Sequence, residues 1–120
     1  MKKILVVEDE MPIRNLYKEE LADEGYEVIT APDGVAGYEM FKKEKPDLIT
    51  IDLKMPNMNG LELLDKIRRE DKVIPIIIYS AYGEFTQNFS TWAADEYLVK
   101  SSDLSEFKNK VKELLVKKAS

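Results

Sequence analysis

Acidic side chains follow two apolar runs of the sequence, and their types are those that metal and phosphate chemistry uses. Asp52 comes directly after the run from Asp47 to Ile51 and opens a loop that contains Pro and Gly. Glu8 and Asp9 end the run from Ile4 to Val7. Short apolar runs rich in β-branched residues predict strands that are buried on both faces of a sheet. If the two strands are parallel neighbours, all these carboxylates lie at one edge of that sheet.

Crowded carboxylates repel one another, so either a pKa rises or a cation binds between them. Mg²⁺ fits such a set best, because it prefers oxygen ligands in octahedral geometry and leaves room for a phosphate oxygen. The expected ligands are Glu8, Asp9, Asp52 and the backbone carbonyl of Lys54. Ca²⁺ is the competing ion, whereas a sequence without His or Cys disfavours Zn²⁺.

The same residues could also accept a phosphoryl group. A carboxylate oxygen of Asp52 could attack phosphorus in line, in a reaction catalysed mostly by positioning and charge neutralisation. Lys100 follows the last predicted strand and would neutralise part of the charge. The hydroxyl of Ser80 and the backbone N–H of Ala81 could donate to a phosphate oxygen. Each residue alone has an ordinary role as a cap, turn or surface residue, but their shared position after different strands favours one common site.

The composition narrows the possible partners. The chain has 120 residues, a formal net charge of −5, no His and no Cys, so any phosphohistidine must belong to a partner. An acidic chain without a basic tail is not expected to bind nucleic acid directly. No apolar run approaches the about 20 residues that cross a bilayer, and no signal peptide follows Met1, so no membrane contact is expected. The lack of Cys is compatible with the expected cytoplasmic location.

Five predicted strands alternate with five predicted helices, which indicates a single α/β domain over residues 1–120. The predicted strands are Lys3 to Val7, Tyr26 to Thr30, Leu48 to Ile51, Ile74 to Tyr79 and Glu96 to Val99. The first, third and fourth are the most apolar and should be central, whereas the second and fifth should be edges. This favours a flavodoxin-like, doubly wound parallel sheet of order 2-1-3-4-5, with ligands bound between strands 1 and 3.

Helix boundaries are marked by local signals. Pro12 suits the first turn of the first helix, and Gly25 suits its C-terminal end. Asp33 and Asn59 are the expected N-caps of the second and third helices, and Asp103-Leu104-Ser105-Glu106 is a capping-box signature for the last helix. Apolar residues at helical spacing in the first helix are Ile13, Leu16, Tyr17 and Leu21.

With these residues in view, the whole chain resembles the receiver domain of a two-component response regulator. The resemblance is carried by Glu8-Asp9, by the segment Asp52-x-x-Met55-Pro56-x-x-x-Gly60, by Ser80-Ala81 and by Tyr97-Leu98-Val99-Lys100. The combination is specific, whereas any one of these motifs alone is not. The chain is most similar to single-domain regulators of the phosphorelay or chemotaxis kind.

The resemblance implies a role for each matched residue. Asp52 would be the phosphoacceptor, supplied by the phosphohistidine of a sensor histidine kinase or a histidine phosphotransfer protein. Glu8 and Asp9 would bind Mg²⁺, and Lys100 would pair with the phosphate. Ser80 and Tyr97 would act as a coupled switch. That switch would remodel the face formed by the fourth helix, the fifth strand and the fifth helix, through which a downstream protein target would bind.

Some positions depart from the family pattern. Ser101 stands where the family usually has Pro after the lysine, often with a cis bond. Because a cis bond before a non-proline residue costs about 3–4 kcal/mol, we expect a trans bond between Lys100 and Ser101. The segment from Ser80 to Lys100 is also shorter than usual, so the fourth helix, predicted from Glu84 to Ala93, should be short or irregular. The side chains of Lys54 and Tyr82 are expected to tune the lifetime of the phosphoryl group.

Two enzyme functions fit these residues less well. An aspartyl-phosphate phosphatase would need a second catalytic Asp at position 54, which is Lys, and the acidic turn after the first strand would repel a flavin phosphate. A receiver-like docking module that does not switch on phosphorylation remains an alternative. The chain is expected to be a monomer that catalyses its own phosphorylation and slow dephosphorylation rather than an enzyme in the usual sense.

Overall fold

A computed structural model describes residues 1–53, 55, 57–81 and 93–119 of the chain. The strands are β1 (Lys3–Val7), β2 (Glu27–Ala31), β3 (Leu48–Ile51), β4 (Ile76–Ser80) and β5 (Glu96–Val99). Within the described ranges the helices are α1 (Met11–Asp23), α2 (Gly34–Glu44), α3 (Gly60–Glu70) and α4 (Ser105–Ala119). The helix predicted from Glu84 to Ala93 lies almost entirely outside these ranges, so α4 here corresponds to the fifth predicted helix.

All strand pairs are parallel, and the order β2-β1-β3-β4-β5 is the predicted one. The physical reason is visible in the burial of the strands. Every residue of β3 and β4 is buried, whereas β2 is mostly half-buried and β5 has one buried residue. Strands that lie between neighbours need apolar side chains on both faces, because helices cover both sides of a parallel sheet.

The helices form layers on the two faces of the sheet, and the alternation of β1 shows how. Leu5 and Val7 pack into one apolar cluster with residues of α2 and α3, whereas Ile4 and Val6 pack into another with residues of α1 and α4. Successive side chains of a strand point to opposite faces, so one short strand contributes to both cores. This doubly wound arrangement leaves the carboxyl ends of β1 and β3 side by side.

Most predicted helix ends agree with the structure. Gly25 has φ of 96° just after α1, a conformation that favours glycine. The Asp33 side chain accepts a hydrogen bond from the Ala36 N–H at 2.9 Å and caps α2. Asn59 caps α3 in a capping box with Glu62.

Other local predictions were wrong in detail. Leu16 remains 46% exposed, because the packed side of α1 is formed by Tyr17 and Leu21. Asp103 Oδ1 accepts a hydrogen bond from the Ser105 N–H at 2.9 Å, so the Asp103 side chain caps the start of the last helix through the residue two positions on, and α4 begins at Ser105. β2 and β4 lie one to two residues later than predicted. β4 consequently runs to Ser80, which is the last residue of the strand.

No helix among the described residues combines the length and the apolar character that a membrane span requires.

Candidate phosphoacceptor and metal site

The acidic residues lie at the carboxyl ends of neighbouring strands. Val7 at the end of β1 is in register with Ile51 at the end of β3. Glu8 and Asp52 are the next residues along each chain segment, and the Asp52 N–H donates to the Val7 carbonyl at 3.1 Å. The two chain segments therefore stay paired one residue beyond the strands, which holds the backbone of Asp52 firmly against β1.

Glu8, Asp9 and Asp52 form one cluster, as the sequence predicted. Each contributes a carboxylate oxygen, and these oxygens all lie within 4.8 Å of one another. Glu8 is 2% exposed and Asp52 is 8% exposed, whereas Asp9 is half-buried. Oxygen ligands of this kind, converging in a partly buried place, suit Mg²⁺. The cluster thus fits a Mg²⁺ site.

Burial has a clear electrostatic effect on this cluster. It raises the pKa of Glu8 to about 7, because the ionised carboxylate loses hydration, while the bond from Lys100 and the Glu10 N–H partly oppose that rise. The Glu10 N–H donates to Glu8 Oε2 at 3.1 Å. A bound cation would favour the ionised form of Glu8 and relieve the cost of placing it next to Asp52.

Lys100 reaches into the acidic cluster from the end of β5. Its Nζ lies 2.5 Å from Glu8 Oε1 and 3.0 Å from Asp52 Oδ2. Burial opposes the charge on this ammonium group, but the contacts with the two carboxylates outweigh that effect and raise the pKa of Lys100 above its usual range. Lys100 is therefore a fixed cation beside the proposed acceptor oxygen of Asp52.

The backbone around Lys100 shows how β5 delivers this side chain. The Lys100 N–H donates to the Ser80 carbonyl at 2.8 Å, which extends the pairing of β4 and β5 by one residue. No cis peptide bond occurs in the described part of the chain, so the bond between Lys100 and Ser101 is trans, as predicted. The replacement of the usual Pro by Ser101 thus leaves Lys100 in contact with Asp52.

Ser80 and Tyr97, the predicted switch pair, lie on adjacent strands. Ser80 is fully buried at the end of β4, and Ala81 follows it at an exposed position. Tyr97 is in register with Ile78 and packs against the apolar cluster on the α2 and α3 side of the sheet. The predicted carbonyl ligand Lys54 and the predicted lifetime residue Tyr82 lie outside the described residues.

Gly60 allows the proposed acceptor loop to close tightly. Its N–H donates to the Leu53 carbonyl at 2.9 Å. A Cβ atom at this position would lie 2.4 Å from the Asp52 carbonyl oxygen and 2.7 Å from the Leu53 Cα, so only glycine fits without a backbone shift. The first turn of α3 therefore packs directly against the backbone of Asp52.

Arg14 is a site residue that the sequence did not reveal. Its Nη1 donates to the backbone carbonyls of Glu8 at 2.9 Å and of Asp9 at 3.3 Å. It thus braces the acidic turn from the first turn of α1. No spacing rule pointed to it, since an Arg at the start of a helix is ordinarily a solvent-facing residue.

Comparisons with known proteins agree with this geometry. The family model of the response regulator receiver domain matches residues 4–112. Sporulation initiation phosphotransferase F of Bacillus subtilis (strain 168) is 36% identical over 116 residues, which cover 95% of this chain and 94% of the relative. The probable transcriptional regulator ycf27 of Cyanophora paradoxa is 37% identical over 95% of this chain, which spans about half (48%) of that relative.

Solved structures of response regulators are also similar to this chain. The response regulator TrrA of Thermotoga maritima, in complex with Mg²⁺-BeF, is 47% identical with a TM-score of 0.93 and covers 95% of this chain and 99% of its own. A complex of the histidine kinase ThkA with TrrA matches at 48% identity and a TM-score of 0.90, over 96% and 99% of the two chains. The sequence, the fold and the acidic cluster lead to one conclusion: this chain belongs to the response regulator receiver domain family.

Proposed function

We propose that this chain is a phosphoacceptor signalling module of a two-component system or phosphorelay, in which Asp52 accepts the phosphoryl group. One observation carries the proposal. A cation, Lys100, lies 3.0 Å from an oxygen of Asp52, while oxygens of Glu8, Asp9 and Asp52 converge within 4.8 Å. Such an arrangement suits a reaction that places more negative charge on an already acidic site.

The phosphoryl transfer forms one bond and breaks one bond. An oxygen of Asp52 attacks the phosphorus of a phosphohistidine, a P–O bond forms, the P–N bond breaks, and the departing imidazole keeps the electron pair and binds a proton.

Lys100 stabilises the charge that arises on the phosphoryl oxygens. Glu8, Asp9, Asp52 and the Lys54 carbonyl would hold Mg²⁺, which would supply further charge neutralisation when bound. The Ser80 hydroxyl and the Ala81 N–H donate to the transferred group. Hydrolysis of the aspartyl phosphate by water then restores the Asp52 carboxylate.

The donor is a partner protein, because the chain has no histidine of its own. The similarity to a sporulation phosphotransferase and to a regulator solved with a histidine kinase supports a sensor histidine kinase or a histidine phosphotransfer protein in this role. The reaction is a self-catalysed modification, with one phosphoryl group accepted per cycle, rather than the turnover of an enzyme on a separate substrate.

The output follows from Ser80 and Tyr97. After phosphorylation the Ser80 hydroxyl moves towards the phosphate and the Tyr97 ring turns inward, which changes the surface formed by the predicted fourth helix, β5 and α4. A downstream protein target binds that surface. The side chains of Lys54 and Tyr82 tune the phosphoryl lifetime. A docking module that does not switch is the alternative, and the contact between Lys100 and Asp52 supports phosphorylation over it.

The remaining features of the proposal concern domain organisation, oligomeric state, location and the kind of partner. Residues 1–120 form a single receiver domain that acts as a monomer in the cytoplasm. The net charge of −5 supports protein partners rather than direct binding to nucleic acid.

The decisive experiment is the intact mass of the protein after incubation with acetyl phosphate, with and without Mg²⁺. We expect one added phosphoryl group that requires both Mg²⁺ and Asp52, so the Asp52→Asn variant should gain none. Asp65→Asn, which changes an exposed aspartate on α3, is the matched control and should behave like the wild type. If Mg²⁺ binds but no adduct forms, the phosphoacceptor function is refuted and the non-switching docking module is favoured.

A further inference from the structure

The loop that follows Asp52 is joined to the start of α2, which comes from a distant part of the sequence. Asn57 Nδ2 donates to Asp33 Oδ2 at 3.0 Å across 24 residues of chain. Beside this bond, Gly34 lies so close to Met58 that a Cβ on Gly34 would be 2.3 Å from the Met58 carbonyl oxygen. A polar contact and a close backbone approach thus connect the same two segments.

The residues at this junction suit their conformations. Asn57 has φ of 68°, in the left-handed region that Asn tolerates better than most residues. Asp33 uses its two oxygens for different partners, since Oδ1 accepts from the Ala36 N–H at 2.9 Å and Oδ2 accepts from Asn57. The carboxylate that caps α2 therefore also holds the loop.

This junction complements the other attachments of the loop. The beginning of the loop is held to β1 by the bond from the Asp52 N–H to the Val7 carbonyl, at 3.1 Å. Its two ends are joined by the bond from the Gly60 N–H to the Leu53 carbonyl, at 2.9 Å. The middle of the loop, near Asn57 and Met58, is attached to α2 instead. These contacts hold the described residues of the loop, Leu53 next to Asp52 and Asn57 and Met58 further on, against neighbouring elements.

We propose that Asp33 and Asn57 are a positioning pair for the phosphoacceptor site. By holding the loop against α2, they keep the segment next to Asp52 in the geometry that Mg²⁺ binding and phosphoryl transfer require. Neither residue touches the reacting atoms, so both act through the loop. This inference rests on the proposed function of Asp52 for its kinetic part, whereas its Mg²⁺ part can be tested independently.

The test compares variants that differ only in this contact. Asn57→Gly removes the amide donor and still suits φ of 68°. Asn57→Asp places a second carboxylate opposite Asp33, and like charges repel. The exchanged pair Asp33→Asn with Asn57→Asp restores a hydrogen bond of reversed direction at unchanged net charge, and Asn remains a good N-cap. Glu20→Gln is the matched control, because it alters a half-buried ion pair with Lys108 between α1 and α4, on the other face of the sheet.

The readouts are Mg²⁺ affinity by calorimetry and the rate of phosphorylation by acetyl phosphate at saturating Mg²⁺. We expect Asn57→Gly to lower both by about fivefold, as suits the loss of one hydrogen bond. Asn57→Asp should slow phosphorylation at least as much, and the exchanged pair should recover most of the wild-type rate. Glu20→Gln should change neither quantity.

The possible outcomes separate this inference from the proposed function. If the wild type is phosphorylated and the Asn57 variants lose only thermal stability, with both readouts unchanged, the pair is merely structural and the inference is overturned. If the exchanged pair is phosphorylated as slowly as Asn57→Asp, the inference is overturned as well. If the wild type takes up no phosphoryl group, the proposed function fails, and the Mg²⁺ affinities of the same variants decide whether the pair positions the loop.

Discussion

Lys100 Nζ lies 3.0 Å from Asp52 Oδ2, although 48 residues separate the two in sequence. The same ammonium group contacts Glu8 at 2.5 Å, so a single lysine neutralises part of the charge of two buried carboxylates. This contact places a positive charge beside the Asp52 oxygen that is proposed to accept the phosphoryl group. It also places a positive charge next to two of the oxygens that fit Mg²⁺.

Replacement of Lys100 should therefore have opposite effects on transfer and on metal binding. We expect Lys100→Ala to slow phosphorylation by acetyl phosphate about 100-fold or more, as is typical when one charge-stabilising donor is removed. The same variant should bind Mg²⁺ more tightly, because the cation no longer meets a competing ammonium group. Lys110→Ala, which removes a long contact with Glu96 at 3.8 Å, serves as the control. An unchanged phosphorylation rate in Lys100→Ala would remove this lysine from the reaction.

Mg²⁺ affinity should depend on pH through Glu8. Burial raises the pKa of Glu8 to about 7, and the protonated carboxyl group is a poor ligand. We therefore expect Mg²⁺ affinity, measured by calorimetry, to fall as the pH is lowered from 8 to 6. The Glu8→Gln variant should bind Mg²⁺ weakly and lose most of this pH dependence. A wild-type affinity that stays constant across this range would contradict the role of Glu8.

The same shift predicts how the stability of the metal-free protein changes with pH. The folded state binds the Glu8 proton more tightly than the unfolded state, whose pKa is near the usual value of 4.5. The stabilisation from this proton is thus fully present below about pH 4.5 and is lost as the pH rises through 7. Denaturant titrations in EDTA should show the free energy of unfolding of the wild type falling over this range relative to Glu8→Gln. A parallel pH profile for the two proteins would exclude the effect.

Gly60 should be far less tolerant of a side chain than Gly25. The Cβ of Gly60→Ala would meet the Asp52 carbonyl oxygen at 2.4 Å, and both atoms belong to rigid backbone. We expect a loss of about 3 kcal/mol or more in the free energy of unfolding, since something in the loop must shift. Gly25→Ala meets no atom within 4 Å and carries only the cost of its φ of 96°, about 1 kcal/mol. Equal losses in urea titrations would refute the close packing of α3 on the proposed acceptor loop.

Arg68 and Arg69 are neighbours on α3 with very different surroundings. Arg68 is 15% exposed, contacts Asp95 at 2.9 Å, and donates to the backbone carbonyls of Ile74 and Ala93, both at 2.7 Å. Asp95 Oδ2 also accepts from the Ile76 N–H at 2.8 Å. These contacts join the end of α3 to the starts of β4 and β5.

We expect Arg68→Ala to lower the free energy of unfolding by about 2 kcal/mol, because the carbonyl of the buried Ile74 loses its partner and two exposed acceptors lose theirs as well. Arg69→Ala is the matched control, since Arg69 is 77% exposed and pairs only with the exposed Asp65 among the contacts of the described chain. Its loss should be within about 0.5 kcal/mol. Chemical denaturation would measure the free energy of unfolding of both variants. Similar losses in the two would show that the Arg68 contacts contribute little to stability.

The order of the strands and the cluster of acidic residues could be predicted from the sequence, because both depend on pattern and connectivity. The full burial of β3 and β4 follows from their apolar composition, and parallel connection of such strands brings Glu8, Asp9 and Asp52 to one edge. Asn59 was recognisable as an N-cap because capping depends on residues only three positions apart.

The contacts of long side chains were decided only by the tertiary structure. Arg14 braces the acidic turn, Asn57 bonds to Asp33, and Lys100 contacts two carboxylates, each through geometry that depends on how layers and loops pack. Leu16 stayed exposed for the same reason, since helical spacing does not tell which apolar residue faces the sheet. The sequence by itself determined which backbone segments meet at the site. Packing decided which side chains reach across, because partners tens of residues apart leave no local signal.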